Sequence, residues 1–213
     1  MNIVQNFVSP SKYNIKCPYP MTPEFIVVHN TANDASAANE VAYMIRNDNQ
    51  VSFHYAIDDK EIVQGIPENR NAWHAGDGGN GLGNRKGLSI EICYSLSGGK
   101  RFEEAEKLAA KFIAFKLKEK GWGIDKVKKH QDFSGKYCPH RTLDMGWQRF
   151  LDMVQKELSG GGNVTQDKNQ PSSWAKEAWE WAKKEGLLDG TRPKDNLTRE
   201  EFAVVLKRLV EKK

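Results

Sequence analysis

The sequence predicts an α/β body followed by a small helical module. Three observations carry that reading. Short apolar runs rich in β-branched residues alternate with segments of helical spacing through residue 158. The composition then shifts at "LSGGGNVTQDKNQPSS", where consecutive glycines, polar residues and a proline predict a flexible linker. Beyond it lie two further segments of helical spacing. The expected organisation is a domain over 1–158, a linker over 159–172 and a module over 173–213.

Taken in chain order, "FIVV" at 25–28 is a continuous apolar run of strand length, so a buried strand. Residues 37–46 place Val41, Met44 and Ile45 at helical spacing. "VSFHYAID" alternates Val51, Phe53, Tyr55 and Ile57 against Ser52, His54 and Ala56, and "DDKEIVQGI" reads as a turn and a return strand, which together predict a hairpin. "GLSIEIC" sets Leu88, Ile90 and Ile92 on one strand face and Ser89, Glu91 and Cys93 on the other. Residues 103–120 carry Leu108, Phe112 and Phe115 at helical spacing, with Gly121 as a C-terminal stop. Residues 143–158 repeat the pattern with Trp147, Leu151, Val154 and Leu158. In the tail, a helix from about Ser173 stacks Trp174, Ala178 and Trp181 and ends at Gly186. A second opens with "TREE", where Thr198 as N-cap and Glu201 three residues on form a capping box. Phe202, Val205, Leu206 and Leu209 then line one face.

Bulk properties narrow the function classes. The net charge is +4, from 32 basic and 28 acidic residues, too mild for a nucleic-acid partner but suited to loose attraction by an anionic polymer such as a bacterial wall. Mean hydropathy is −0.69 and no apolar run reaches about 18 residues, so no membrane-spanning helix is expected. "MNIVQNFVSPSKYN" lacks a charged region followed by an apolar stretch, so no signal peptide is expected. Three cysteines, odd in number and sparse, read as reduced thiols or metal ligands, not as a disulfide framework.

The histidines and cysteines raise a sharper possibility. "HQDFSGKYCPH" holds His130, Cys138 and His140, and "EFIVVHN" ends an apolar run with His29. A catalytic zinc site needs three protein ligands and an open position. His29 at a strand end and His130 with Cys138 in one loop can supply them, and Pro139 restricts the backbone of Cys138. Spacing alone leaves a coincidence of loop composition open. His140 flanks Pro139 and would crowd the same ion, His54 reads equally as a packed strand residue, Cys17 has no nearby histidine, and Cys93 reads first as a small core residue.

Five fragments, in order, carry a resemblance: "FIVVHNTA", "SFHYAID", "AWHAG", "NRKGLSIEIC" and "HQDFSGKYCP". Over about 27–158 the chain resembles the type 2 N-acetylmuramoyl-L-alanine amidases, and within them the endolysins of Bacillus phages and prophages. The resemblance implies a central mixed β-sheet flanked by helices, with Zn²⁺ in a groove held by His29, His130 and Cys138. It implies hydrolysis of the amide between the lactyl group of N-acetylmuramic acid and L-alanine in peptidoglycan. Part of the family has a tyrosine where this chain has Phe53; other members use a strand glutamate, here Glu91, as the proton carrier. Two imidazoles and a thiolate leave zinc with a net positive charge, enough to bring the pKa of bound water to about 7. Lys136 matches a family lysine placed to stabilise the oxyanion. Trp73 reads equally as a ring that stacks on a sugar face or one that packs in the core, His74 could hydrogen-bond the substrate, and Asn30 could touch substrate or support the site.

The tail fragments "AKEAWEWAKKEGLLDG" and "RPKDNLTREEFAVVLKRL" resemble one S-layer-homology repeat. That likeness implies a wall-polysaccharide contact, although such repeats usually act in sets of three. The expected partner is peptidoglycan, with no nucleic acid and no membrane. A recognition module that binds the wall without cutting it is the rival class; presence of Cys138 favours the enzyme. Without a signal peptide, an endolysin would be made in the host cytoplasm and reach the wall after release.

Overall fold

In a computed structural model, which describes residues 2–160, 171, 175–191, 193 and 198–211, the chain divides into two units, Met1–Gly161 and Gly162–Lys213. At the centre of the first lie two largely buried strands, β2 (Phe25–Asn30) and β5 (Gly87–Ile92). They pair in parallel, and Ile26, Val27, Val28, Leu88 and Ile90 are fully buried, as expected of strands covered on both faces. Around them the described residues complete a six-stranded sheet in the order β1-β4-β3-β5-β2-β6, adding β1 (Val4–Gln5), β3 (Tyr55–Ile57), β4 (Ile62–Gln64) and β6 (Val127–Lys129). Only the β3–β4 hairpin is antiparallel, so the sheet is mixed.

The described helices of this unit are α1 (Tyr13–Lys16), α2 (Ala37–Arg46), α3 (Leu82–Lys86), α4 (Gly99–Lys120), α5 (Gln131–Ser134), α6 (His140–Asp144) and α7 (Trp147–Leu158). α2 starts at the Ser36 N-cap, whose hydroxyl accepts the Asn39 N–H, and packs Val41 and Met44 toward β3 and β4. α4 lies on β3 and β5 and against α7, with Phe112 edge-on to Tyr55 at 4.7 Å between ring centres. Its buried stripe runs through Phe102, Ala105, Ala109, Phe112, Ile113 and Leu117.

Several expectations shift. β2 continues two residues beyond "FIVV", so His29 lies inside a hydrogen-bonded strand. The strand expected over 51–57 is ordered as β only at Tyr55–Ile57, because the Ser52 and Phe53 N–H groups turn instead to the Trp73 carbonyl and the Met44 sulfur. α4 begins at Gly99, and Phe115 on its expected apolar face is exposed. Gly121 does stop the helix, at φ +66°. The helix expected over 143–158 is broken by Gly146 (φ +104°) into α6 and α7.

In the second unit, α8 (Lys176–Lys184) is followed by Gly186 at φ +65°, and α9 (Arg199–Glu211) opens with the expected capping box. The Thr198 hydroxyl accepts the Glu201 N–H at 3.1 Å and the Glu201 carboxylate accepts the Thr198 N–H at 2.9 Å. Leu187 is buried, while Trp181, Phe202, Leu206 and Leu209 are exposed. Trp174, most of the expected linker and much of "RPKDN" lie outside the described residues. Among the described residues no helix is long and apolar enough to cross a membrane.

Candidate metal and catalytic site

Three adjacent parallel strands end at one place. In the order β5-β2-β6, His29 stands directly opposite Glu91 near the C-terminal ends of β2 and β5, and His130 follows the end of β6. The crevice beyond the carboxyl ends of parallel strands is where open α/β sheets bind ligands. The His130 N–H bonds back to the Val28 carbonyl at 3.3 Å, and the loop that follows closes when the Gln131 N–H bonds the Cys138 carbonyl at 3.0 Å. That closure brings two residues eight apart in sequence onto the same point as His29.

The donor atoms converge. His29 Nδ1 lies 3.0 Å from His130 Nδ1 and 3.9 Å from Cys138 Sγ, and one donor from each of the three residues falls within 4.8 Å of the others. Tetrahedral zinc with ordinary Zn–N and Zn–S bonds sets its ligand atoms about 3.3–3.6 Å apart, a spacing these distances bracket. All three side chains are buried. Burial first, and then neighbouring histidines and Lys136, push the pKa of His29 well below the ordinary value; burial and then Lys136 lower that of His130. Both shifts favour the neutral ring, the form that ligates metals. Burial, followed by the Glu91 charge, pushes the Cys138 thiol up to about 12. A thiol so placed stays protonated unless a cation takes the proton's place on sulfur and the proton leaves to solvent, so the donor set fits a zinc ion.

Glu91 stands beside this cluster, with Oε1 3.9 Å from His29 Nδ1 and Oε2 buried without a hydrogen-bond partner. Burial and then Glu40 raise its pKa to about 8, while Lys136 opposes them. Such a carboxyl is poised to exchange a proton near neutral pH. These residues open into a groove of about 240 Å³ that includes Lys136, Phe53 and, along α2, Glu40, Tyr43 and Asn47. The α2 wall gives no sequence signal, since the polar face of an amphipathic helix normally meets solvent.

The other residues singled out by the sequence take the following places. Trp73 does not line the groove: its indole N–H donates to the Ile15 carbonyl at 3.0 Å and its ring meets Tyr19 edge-on. Asn30 holds α6, its Oδ1 accepting the Arg141 and Thr142 N–H groups and its amide donating to the Thr142 hydroxyl. His74 reaches the site, but its Nδ1 lies 3.0 Å from His29 Nε2. His54 is a packed histidine, bonded to Ser89 through Nδ1 and to the Arg70 carbonyl through Nε2. His140 contacts the Ser95 carbonyl, and Cys17 and Cys93 are buried outside the converging set.

With this geometry in view, the family model for N-acetylmuramoyl-L-alanine amidase matches residues 19–141. The chain belongs to that family. It is 60% identical over 166 residues to the N-acetylmuramoyl-L-alanine amidase CwlA of Bacillus subtilis (strain 168), covering 78% of this chain and 61% of the relative. It is 58% identical over 176 residues to the amidase XlyB of the same strain, covering 82% and 55%. The chain thus spans only part of the length of these curated relatives. Among solved structures, PlyL superposes with a TM-score of 0.71 at 54% identity, covering 75% of this chain and 99% of that one. The PlyG catalytic domain gives 0.71 at 52%, covering 78% and 98%. Family membership and the mixed sheet agree with the amidase fold of these neighbours.

Proposed function

We propose that the chain is a zinc-dependent hydrolase that cleaves the amide between N-acetylmuramic acid and L-alanine in bacterial peptidoglycan, acting as a phage or prophage endolysin. The observation that carries this reading is the meeting of His29, His130 and Cys138 at the ends of adjacent strands with Glu91 beside them, in a chain of the amidase family. His29 and His130 through Nδ1 and Cys138 through Sγ would hold the metal. Zinc there would supply Lewis acidity, enough to make water nucleophilic near neutral pH.

The chain's own residues do the rest. Glu91 takes the proton from the attacking water and delivers it to the departing alanine nitrogen. Lys136, on the groove wall and acting electrostatically on His29, His130 and Glu91, lies where positive charge would offset the oxyanion. Phe53 offers no hydroxyl, which leaves the proton work to Glu91. The groove along α2 receives the stem peptide and sugar; Trp73 is not part of it.

The second unit is read as a single S-layer-homology-like repeat making a weak contact with wall polysaccharide. Support comes from the sequence hallmarks and the formed capping box. The site of action is the cell wall.

The test is product analysis of purified wall digested with the chain. The reading expects free muramic lactyl groups to appear together with new N-terminal alanine. New reducing sugar ends, or cleavage within the peptide, would overturn it.

A further inference from the structure

His74 lines the groove, with Nδ1 turned to His29 and Nε2 enclosed. Nδ1 lies 3.0 Å from His29 Nε2, with the two rings nearly perpendicular at 86°. Nε2 is buried and meets no partner at ideal hydrogen-bond geometry, although the Gly87 and Gly83 backbone lies close enough to favour a proton on the ring. His29 meanwhile turns Nδ1 toward His130, Cys138 and Glu91.

A nitrogen that ligates a metal must be unprotonated, so the single proton of neutral His29 belongs on Nε2. The atom facing it is His74 Nδ1, which must then accept, and the proton of neutral His74 belongs on its own Nε2. We propose that His74 is a positioning residue: it accepts the Nε2–H of His29 and so fixes the tautomer and ring angle with which His29 presents Nδ1 to zinc. This rests on the metal reading of the site.

The backbone beneath His74 is built to hold that position. The His74 and Ala75 N–H groups both donate to Asn84 Oδ1 at 2.8 Å. Asp77 in turn accepts the N–H groups of Gly83 at 2.6 Å and Asn84 at 3.2 Å. Gly76, at φ +68°, comes close to Ser134 and His130, where an added Cβ would stand 3.2 Å from the Ser134 hydroxyl. A partner on the far nitrogen of a ligating histidine is a recurrent feature of metal sites, and its loss costs about 10–100-fold in metal affinity or activity.

The experiment measures zinc dissociation constants of the full chain by competition with a chromogenic chelator. It compares wild type, His74→Leu, which fills similar space without an acceptor, and His74→Asn, whose Oδ1 returns an acceptor near the place of Nδ1. The expected result is zinc binding weakened about 10–100-fold in the leucine variant and largely recovered in the asparagine variant. Nitrogen-15 spectra of the zinc-loaded wild type should show both His29 and His74 protonated on Nε2, a readout independent of whether either variant folds. Unchanged zinc affinity in His74→Leu with a raised KM for muropeptide would overturn the inference and make His74 a substrate contact. A proton on His74 Nδ1 would overturn it as well. A wild-type chain that binds no zinc would overturn the metal reading and this inference together, which separates the two failures.

Discussion

Glu91 illustrates how position converts an ordinary side chain into a chemical one. On an exposed strand its carboxyl would be ionised at neutral pH; here burial and the neighbouring Glu40 charge raise its pKa to about 8, and one oxygen has no partner. A divalent cation at His29, His130 and Cys138 would act in the opposite direction and favour the ionised, basic form. Glu91→Gln keeps the shape and leaves the ligands untouched. It should retain zinc while turnover of muropeptide falls by about 10²–10⁴-fold, measured as kcat with metal content determined in parallel. Near wild-type turnover would place the proton carrier elsewhere, and not at His54, whose two nitrogens are already bonded. At this scale the sequence was legible where residue types are rare and chemically narrow. His29, His130 and Cys138 are candidates because few side chains ligate zinc, but it is the family resemblance and not their spacing that singles them out; strand alternation sets Glu91 apart from Ile90 and Ile92. Trp73 and Asn30 each leave two readings open in the sequence, since a side chain's chemistry says what it can bind but not where it points. Trp73 turned to the Ile15 carbonyl and Asn30 to the start of α6.

Among elements, the decisive strand is the least conspicuous. β6 reads Val127, Lys128, Lys129, with a single apolar residue, so neither periodicity nor propensity marks it. It forms because the edge of β2 is open to pairing, and it delivers His130. The central strands and α4 were readable because burial on both faces, or along a long stripe, writes itself into an apolar pattern. Elsewhere, helix and sheet are joined by charge. Glu68 accepts the Tyr55 hydroxyl and pairs with Lys116 at 2.8 Å and Lys120 at 2.7 Å. Burial alone would raise its pKa, but the two ammonium groups and the hydroxyl outweigh it and hold Glu68 at about 2. A carboxyl with a depressed folded pKa stabilises the fold above its unfolded value and loses that contribution as pH falls through the folded one. Between about pH 4.5 and 2 the wild type should therefore lose stability, and Glu68→Gln should lose less over the same window. Urea midpoints across that range check this; parallel pH profiles for the two proteins would show that the cluster contributes nothing.

At the scale of the molecule, the first unit holds every residue the proposed chemistry uses, and the solved PlyG catalytic domain is matched over 98% of its length. Among its described residues the second unit buries little apolar surface: Leu187 is enclosed, while Phe202, Val204, Leu206, Leu209 and Val210 of α9 are exposed. The Ser159 and Gly160 N–H groups still close α7, through the carbonyls of Gln155 and Glu157. A chain ending at Gly160 should thus fold and hydrolyse soluble muropeptide at close to the full-length rate, but act more slowly on intact walls, where a second contact raises local concentration. Equal rates on walls would show that the tail does not target the protein. The proposed chemistry depends on one convergence, that of three strand ends and a closed loop upon a single point. Zinc per chain, determined by elemental mass spectrometry on wild type and Cys138→Ser, tests it most directly: one zinc in the wild type and a large loss in the variant are expected, whereas full occupancy with retained activity in the variant would contradict it.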